Sequence, residues 1–180
     1  MINFNSKIAQ KVLSYFLLNP EEELYMNEMV KKFEVDRGNL VRKLAEWEKE
    51  GILEKNKHGN LSLYKINKQY PLLEEMKKIF QKSFGLEEKL RISLGKIKGL
   101  KHVYIFGSYA NDKLEQESDI DILLIGSHDS LGVQKEIIKL EKEFDREINI
   151  VDMTEAELLE KKKNNDFVKN IFNNKYIQIL

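Results

Sequence analysis

The segment "IFGSYANDKLEQESDIDILLIG", residues 105–126, contains the features expected of a phosphate and metal site. Its first apolar stretch ends at Gly107 and Ser108, and a polar loop follows. Because glycine has no side chain, a Gly-Ser turn lets backbone N–H groups and a hydroxyl approach an anion closely, and a helix that begins there adds the positive end of its dipole. The first half of the segment therefore predicts anion binding by Gly107 and Ser108.

The second half of the segment carries two aspartates, Asp119 and Asp121, on an apolar stretch. Residues two apart on a strand project from the same face, so both carboxylates are predicted to lie side by side. Such a pair suits Mg²⁺, which completes its shell with water and phosphate oxygens. A Gly-Ser pair alone is usually a turn, and an Asp-x-Asp alone is often a solvated strand end. Their coupling in one segment predicts a metal site beside a phosphate site.

Strands alternate with helices on both sides of this segment. The predicted strands are "HVYIFG" (102–107), "DIDILLI" (119–125), "EINIVDM" (147–153) and "YIQIL" (176–180). The predicted helices are "LGVQKEIIKLEKEF" (131–144) and one that begins near Thr154. Strands separated by helices predict a small mixed sheet with helices packed on it, so residues 99–180 are predicted to form one α+β domain.

Residues 1–70 follow a different pattern, which is helix, helix, turn, helix and β-hairpin. Apolar residues at helical spacing predict a first helix that ends at Asn19-Pro20. Asn27 is the predicted cap of a short second helix, and Asp36 is the predicted cap of a third. The third helix should end at Gly51 and bury Leu40, Val41, Leu44 and Trp47. With a hairpin around Gly59-Asn60, this order predicts a winged helix-turn-helix domain.

Residues 71–98 return to a helical apolar pattern, with Gly85 as a candidate break. We interpret them as a connecting helix between the domain 1–70 and the domain 99–180. The fold class predicted for the whole chain is therefore α+β.

The predicted third helix and hairpin carry residues suited to DNA. In a helix-turn-helix the second helix of the motif lies in the major groove, where Arg and Asn contact base edges, while hairpin lysines contact phosphates. Glu46, Glu48 and Glu50 are predicted to fall at the far end of that helix. The alternative is a packing unit with a solvated charged face. The predicted DNA-binding residues are Arg37, Asn39, Arg42, Lys43, Lys55 and Lys57, with His58 beside them.

Composition limits the alternatives. The chain has 30 basic and 30 acidic side chains and no net charge, so DNA binding must depend on local placement. Residues 1–70 carry 12 basic and 10 acidic side chains. The absence of cysteine excludes disulfides and thiolate metal sites. No signal-like N-terminus or membrane-length apolar run is found, so a cytoplasmic protein without membrane association is predicted.

The segment around Gly107 and Asp121 resembles the signature of polymerase-β-type nucleotidyltransferases, in which a Gly-Ser is followed by an Asp-x-Asp strand. The resemblance runs from about His102 to the C-terminus and is strongest to minimal nucleotidyltransferase-domain proteins of bacteria and archaea. With its N-terminal unit, the chain is similar to predicted transcriptional regulators that carry such a domain. The resemblance implies that Gly107 and Ser108 hold a nucleoside triphosphate (NTP), that Asp119 and Asp121 ligate Mg²⁺, and that the chemistry is transfer of a nucleoside monophosphate (NMP).

The resemblance also implies a third carboxylate on a later strand, and Asn149 occupies the matching position in "REINIVDM". An amide brings no negative charge and cannot act as a base at neutral pH, so catalysis should be slowed by orders of magnitude while triphosphate binding survives. Glu147, on the same strand parity, and Asp152, at the strand end, are the candidate replacements.

The other titratable residues of this domain have simpler predicted roles. His102 and His128 are predicted surface residues, and Tyr104 and Tyr109 are predicted packing residues. A lysine run is predicted to form a solvated helix face, with an anionic partner as the alternative; it comprises Lys161, Lys162 and Lys163.

Three functions follow from this sequence. The first is a homodimeric DNA-binding regulator whose second domain binds NTP and Mg²⁺ with little or no turnover. The second is an active enzyme that transfers NMP to a hydroxyl of a protein, nucleic acid or small molecule, as antitoxin-like relatives do with a toxin protein. The third is a scaffold that binds only proteins.

Overall fold

The computed structural model describes residues 6–59, 61–113 and 118–180. The chain is α+β and divides into two compact units, Met1–Glu87 and Glu88–Leu180, each with its own sheet. Within the described residues, no helix combines the length and apolarity needed to cross a membrane.

In its described residues, the first unit contains four helices and a three-stranded antiparallel sheet. The sheet order is β1–β3–β2, and β2 and β3 form a regular hairpin from the pair Leu53–Ile66 to the pair His58–Leu61. Gly59 adopts a positive φ of 59° in the connection, whereas Asn60 lies outside the described residues. The elements are α1 (Lys7–Leu18), β1 (Leu24–Tyr25), α2 (Met26–Phe33), α3 (Arg37–Lys49), β2 (Leu53–His58), β3 (Leu61–Ile66) and α4 (Leu73–Ser83).

Local side-chain chemistry sets the helix boundaries of this unit. Asp36 caps α3 as predicted, because its carboxylate accepts a hydrogen bond of 2.8 Å from the Asn39 N–H. The prediction for Asn27 is wrong, since α2 begins at Met26 and Asn27 lies inside it. Instead, the Glu28 carboxylate accepts a hydrogen bond of 2.7 Å from the Tyr25 N–H and caps the N-terminus of α2.

The core of the first unit is built around Trp47, which is fully buried together with Leu40 and Leu44. These residues are spaced by three and four positions, so they share one helix face. Val41 was predicted to be buried with them, but it is 45% exposed because it lies to the side of that face. Helix α1 packs in the same core and is buried along most of its length. Met76 and Phe80 of α4 also belong to this core.

Residues 71–98 form two helices, with the predicted break at Gly85. A Cβ on Gly85 would lie 2.8 Å from the Phe80 carbonyl oxygen, so the tight turn excludes larger residues. Helix α4 packs on α1 in the first unit, whereas α5 (Leu86–Leu94) lies almost entirely in the second. The segment predicted as one connecting helix is therefore shared between two units.

The second unit is built on a mixed sheet of order β6–β5–β4–β7, in which only β5 and β6 are parallel. The predicted terminal strand is reduced to two residues, and the helix predicted from Thr154 is two helices because Asn165 caps a new one. After α5 the elements are β4 (Leu100–Phe106), α6 (Gly107–Ala110), β5 (Ile120–Gly126), α7 (Ser130–Phe144), β6 (Ile148–Met153), α8 (Glu155–Asn164), α9 (Asp166–Asn173) and β7 (Ile177–Gln178).

Strand β5 is the centre of this domain, between β4 and β6. Five of its apolar side chains have no solvent exposure, namely Ile120, Ile122, Leu123, Leu124 and Ile125. Asp121 is the one charged residue of the strand and remains half-buried at its N-terminal end. The sheet therefore holds this carboxylate on a rigid backbone.

Candidate functional site

The sheet register brings Gly107, Asp121 and Asn149 to one end of three neighbouring strands. Phe106, which precedes Gly107, pairs with Asp121 in the antiparallel ladder, and Asp121 pairs with Asn149 in the parallel ladder. Asp119 lies two residues before Asp121, just ahead of the strand. Residues that are far apart in sequence thus form one cluster.

Gly107 is required sterically at its position. Its φ is 73°, which side chains rarely adopt, and a Cβ there would lie 2.4 Å from Oδ2 of Asp121. The helix predicted after it is a single turn, α6, in which the Ser108 carbonyl accepts from the Lys113 N–H at 2.9 Å. Without a side chain on Gly107, the Asp121 carboxylate lies directly against the backbone of the Gly-Ser turn.

Asn149 bridges the two aspartates. Its Nδ2 donates to Oδ2 of Asp119 at 3.2 Å, and it also hydrogen-bonds the side chain of Asp121. Burial raises the pKa of the Asp121 carboxyl, the Asn149 hydrogen bond opposes this, and the nearby Asp119 charge raises the pKa further. The site therefore contains an Asp121 carboxylate whose charge is disfavoured by burial and by the neighbouring Asp119, and an amide that partly compensates.

This donor set suits a hard dication. Two carboxylates and an amide oxygen are ligand types that Mg²⁺ accepts, and a cation would relieve the unfavourable charge on Asp121. Over the described ranges, no cluster of three acidic or histidine side chains forms a metal site. Asp119 and Asp121 are the residues that would hold the ion.

The two candidate replacements for the third carboxylate lie in different places. Asp152 pairs with Leu124 farther along β5, and its carboxylate is 3.3 Å from Nε2 of His128. Glu147 precedes β6, and its side chain is exposed. Its backbone carbonyl accepts a hydrogen bond of 2.9 Å from the Ile120 N–H. Neither side chain joins Asp119 and Asp121 in this structure.

Two predictions about the remaining titratable groups need correction or refinement. His128 was predicted at the surface, but its side chain is only 2% exposed because its loop folds back and places the ring beside Asp152. His102 is half-buried and stacks on Tyr104 at 6.0 Å. Tyr109 is buried, and Tyr104 packs edge-on against Phe172, so both tyrosines are packing residues as predicted.

Sequence patterns did not indicate the role of Arg146. This arginine is buried, and its Nη1 donates a hydrogen bond of 3.0 Å to the carbonyl of Ser118, immediately before Asp119. Arg146 therefore holds the backbone in place immediately before Asp119 and Asp121. A basic residue just ahead of a predicted strand is too common a pattern to have signalled this contact.

A cavity beside Gly107 was also missed. Its volume is about 170 Å³, and β4 and α6 form one side of it while α9 forms the other. Phe106, Asn111, Phe167 and Asn170 contribute to its lining. The α9 residues follow the Gly-Ser turn by about sixty positions, so no local pattern connects them to it.

The predicted DNA-binding residues lie on α3 and the β2–β3 hairpin of the first unit, and most are exposed. Arg42 hydrogen-bonds Asn39 on the α3 surface. Lys43 forms an ion pair with Glu46 at 2.7 Å, and Lys55 forms one with Glu48 at 3.5 Å. These two glutamates were predicted to lie at the far end of α3, away from the DNA-binding residues, but they contact two of them. Arg37 and Lys57 form no ion pair with other described residues.

Helix α8 carries the lysine run. None of its residues is buried, as expected of a solvated face. Lys162 places its ammonium 3.9 Å from the centre of the Phe172 ring, which is a cation–π contact.

Comparisons with known proteins found matches that cover about half of this chain. A toxin–antitoxin crystal structure with AMP-PNP is 24% identical, with a TM-score of 0.39, and the match covers 52% of this chain and 72% of that chain. The structure of the tri-AMPylated Shewanella oneidensis HEPN toxin in complex with MNT antitoxin is 19% identical, with a TM-score of 0.32. This match covers 53% of this chain and 72% of that chain. The comparison with curated proteins gave no match. Residues 87–177, half of the chain, match the model of the nucleotidyltransferase domain, and the chain therefore belongs to the nucleotidyltransferase domain family.

Proposed function

We propose that this chain is a DNA-binding regulator whose nucleotidyltransferase domain binds an NTP with Mg²⁺ and turns it over slowly or not at all. The observation that carries the proposal is the Asn149 amide, which lies between Asp119 and Asp121 and donates to Asp119 at 3.2 Å. The binding residues of the family signature are present, but the amide stands where the resemblance implies a carboxylate.

Each residue of the cluster has a distinct part in nucleotide binding. Gly107 lets the Asp121 carboxylate lie against the Gly-Ser turn, and we assign the backbone N–H groups of this turn and the Ser108 hydroxyl to the phosphate oxygens. Asp119 and Asp121 would hold Mg²⁺, which when bound neutralises the charge of the triphosphate. Arg146 keeps the backbone before Asp119 in place through the Ser118 carbonyl.

Asn149 accounts for the slow turnover. Its amide cannot accept a proton from an attacking hydroxyl, and its Nδ2 occupies a lone pair of Asp119. A positioned general base contributes about 10²–10⁴-fold to a rate, and this contribution is missing. Binding without turnover suits a domain that reports nucleotide concentration.

The first unit supports the regulatory part of the proposal. Three helices followed by a hairpin, with β1 completing a three-stranded sheet, is the element order of a winged helix-turn-helix. We assign α3 to the major groove and the hairpin to the phosphates, with Arg37 and Lys57 as cations not held by an ion pair within the described residues. A homodimer would place two α3 helices on two half-sites of an operator.

DNA binding can be tested with a duplex selected from a random-sequence pool by the intact protein. Replacing Arg37 and Arg42 with alanine should weaken binding to this duplex by about 1–3 kcal/mol per residue and reduce the salt dependence. The measurement is fluorescence anisotropy at two salt concentrations, with and without Mg²⁺ and NTP. Lys49→Ala, at the other end of α3, is the matched control and should bind normally. Failure to bind any duplex at low salt would rule out the regulator.

The second candidate function is NMP transfer, which is favoured by the retained pair Asp119 and Asp121 beside Gly107. In that reaction an acceptor hydroxyl oxygen attacks the α-phosphorus, the bond to the bridging oxygen breaks, pyrophosphate leaves and the hydroxyl proton passes to base or solvent. Incubation with α-labelled NTP, Mg²⁺ and cell extract should leave no label on an acceptor. Label transfer that Asp119→Ala abolishes would show that the enzyme, not the sensor, is correct.

A further inference from the structure

We propose that a cavity in the first unit binds a small zwitterion with an apolar side chain, that is, an apolar α-amino acid. The cavity lies where α1 ends, β3 ends and α4 begins, so all of its lining residues belong to this unit. None of them lies in the segment that matches the nucleotidyltransferase domain. The inference therefore depends on neither nucleotide binding nor DNA binding.

Half of the lining of this cavity is apolar. Leu17 and Ile66 are buried members of the core of the first unit, and Leu73 packs against that core. Pro20 is half-buried and extends the same surface. Protein interiors are close-packed, so a space beside these side chains lacks dispersion contacts that an apolar group would restore.

The size of the cavity limits the ligand to a small molecule. Its volume is about 250 Å³. Pockets for drug-sized ligands have volumes of roughly 300–1,000 Å³, so this cavity suits a smaller compound. A single amino acid belongs to that size class, whereas a nucleotide does not.

Four charged side chains complete the lining. Lys68 forms an ion pair with Glu21, so these two charges compensate each other. Glu74 and Lys77 are three positions apart on α4, yet neither forms an ion pair or a hydrogen bond with another described residue. The cavity therefore offers one unpaired anion and one unpaired cation on the same helix.

This charge arrangement selects a zwitterion. Residues three apart on a helix have Cβ atoms about 5–6 Å apart, so Glu74 and Lys77 can contact neighbouring groups of one ligand. An α-amino acid carries its ammonium and its carboxylate on one carbon. Glu74 can accept hydrogen bonds from the ammonium while Lys77 donates to the carboxylate, and the side chain on the same carbon can reach the apolar lining. A ligand with one charge leaves either Glu74 or Lys77 unmatched.

The test is calorimetric titration of the intact chain with glycine, L-alanine, L-valine and L-leucine, in the absence of nucleotide and DNA. Affinity should rise along this series by up to about 4-fold for each added methylene, the effect of burying that group. Two compounds keep the leucine side chain but carry only one charge, namely 4-methylpentanoate and 3-methylbutylamine. Each should bind about 5-fold more weakly than leucine, the effect of losing one partly exposed charged contact.

Substitutions on α4 assign each charge of the ligand to a residue. Lys77→Gln should abolish the preference for leucine over 3-methylbutylamine, and Glu74→Gln should abolish the preference for leucine over 4-methylpentanoate. Lys78→Gln and Glu75→Gln remove the same charges one position farther along the helix, at exposed residues outside the cavity. These matched controls should bind leucine as the wild type does.

Each result bears on the inference separately from the proposed function. If leucine does not bind, or binds no more tightly than glycine, the cavity is not a site for apolar amino acids. If either singly charged compound binds as tightly as leucine, the zwitterion assignment is wrong. Equal losses in the control variants and the cavity variants would place the binding site elsewhere. Titrations with NTP or duplex DNA test the proposed function on its own, so either proposal can fail while the other stands.

Discussion

Replacing Asn149 with aspartate should raise the rate of NMP release by about 10²–10⁴-fold, the usual contribution of a positioned general base. The side chains of asparagine and aspartate have the same shape, so the new carboxylate would stand where the amide now bridges Asp119 and Asp121. With water as the acceptor, the products are NMP and pyrophosphate. The release of pyrophosphate from NTP and Mg²⁺ is therefore the measurement, and no natural acceptor is needed.

Stability measurements provide an independent check of the same variant. Three carboxylates without a cation repel one another, and the bridging hydrogen bonds of Asn149 are lost. Asn149→Asp should therefore melt at a lower temperature than wild type in EDTA and regain stability with Mg²⁺, because an ion that binds only the folded state stabilises it. Adding Asp121→Asn to the variant should remove any gained activity. Mg²⁺ stabilisation without faster pyrophosphate release would show that more than Asn149 limits catalysis.

Replacing Asp121 with asparagine should lower the affinity for NTP in the presence of Mg²⁺ by at least about 100-fold. This exceeds the 10–100-fold loss typical of outer-shell partners, because a direct ligand charge is removed. The measurement is NTP titration with and without Mg²⁺. Asp152→Asn, on β6 beside His128, is the matched control and should retain normal affinity. Equal losses in the two variants would place the metal elsewhere.

The pKa of Asp121 predicts that the same substitution will not harm the fold. Burial raises this pKa above its ordinary value. The folded state therefore holds the proton more tightly than the unfolded state, and stability falls as the pH rises through the pKa of the folded state. At a pH above the pKa of the folded state the wild-type carboxylate is charged and unfavourable, so neutral asparagine should then give an equal or higher melting temperature. The difference should disappear at a pH below the ordinary range of aspartate.

The local parts of this fold were predictable, because their signals lie within a few residues. The sequence patterns correctly located α3 with its Asp36 cap, the β2–β3 hairpin and the strands that flank Gly107 and Asp121. The match of the second unit to the nucleotidyltransferase domain confirms the family resemblance carried by those residues. The assignment of residues to DNA, metal and nucleotide remains a prediction.

The remaining features depend on contacts between distant residues. His128 lies in a loop whose composition suggests exposure, yet its ring is buried beside Asp152. Val41 follows the apolar pattern of α3, but its side chain lies beyond the edge of the packed face. The cavity exists only because α9 returns to the end of β4, and this return cannot be inferred from either segment alone.

The burial of every apolar side chain of β5 limits how this domain can respond to a ligand. Its apolar side chains are packed without exposure, and close-packed interiors resist gradual deformation. We therefore expect β5, which carries Asp121, to stay rigid when a ligand binds. We expect rearrangement on nucleotide binding instead at the margin of the sheet, where Phe167 and Asn170 of α9 are exposed. If the chain is a DNA-binding regulator, a change in the position of α9 would be the conformational change that couples nucleotide binding to the rest of the protein.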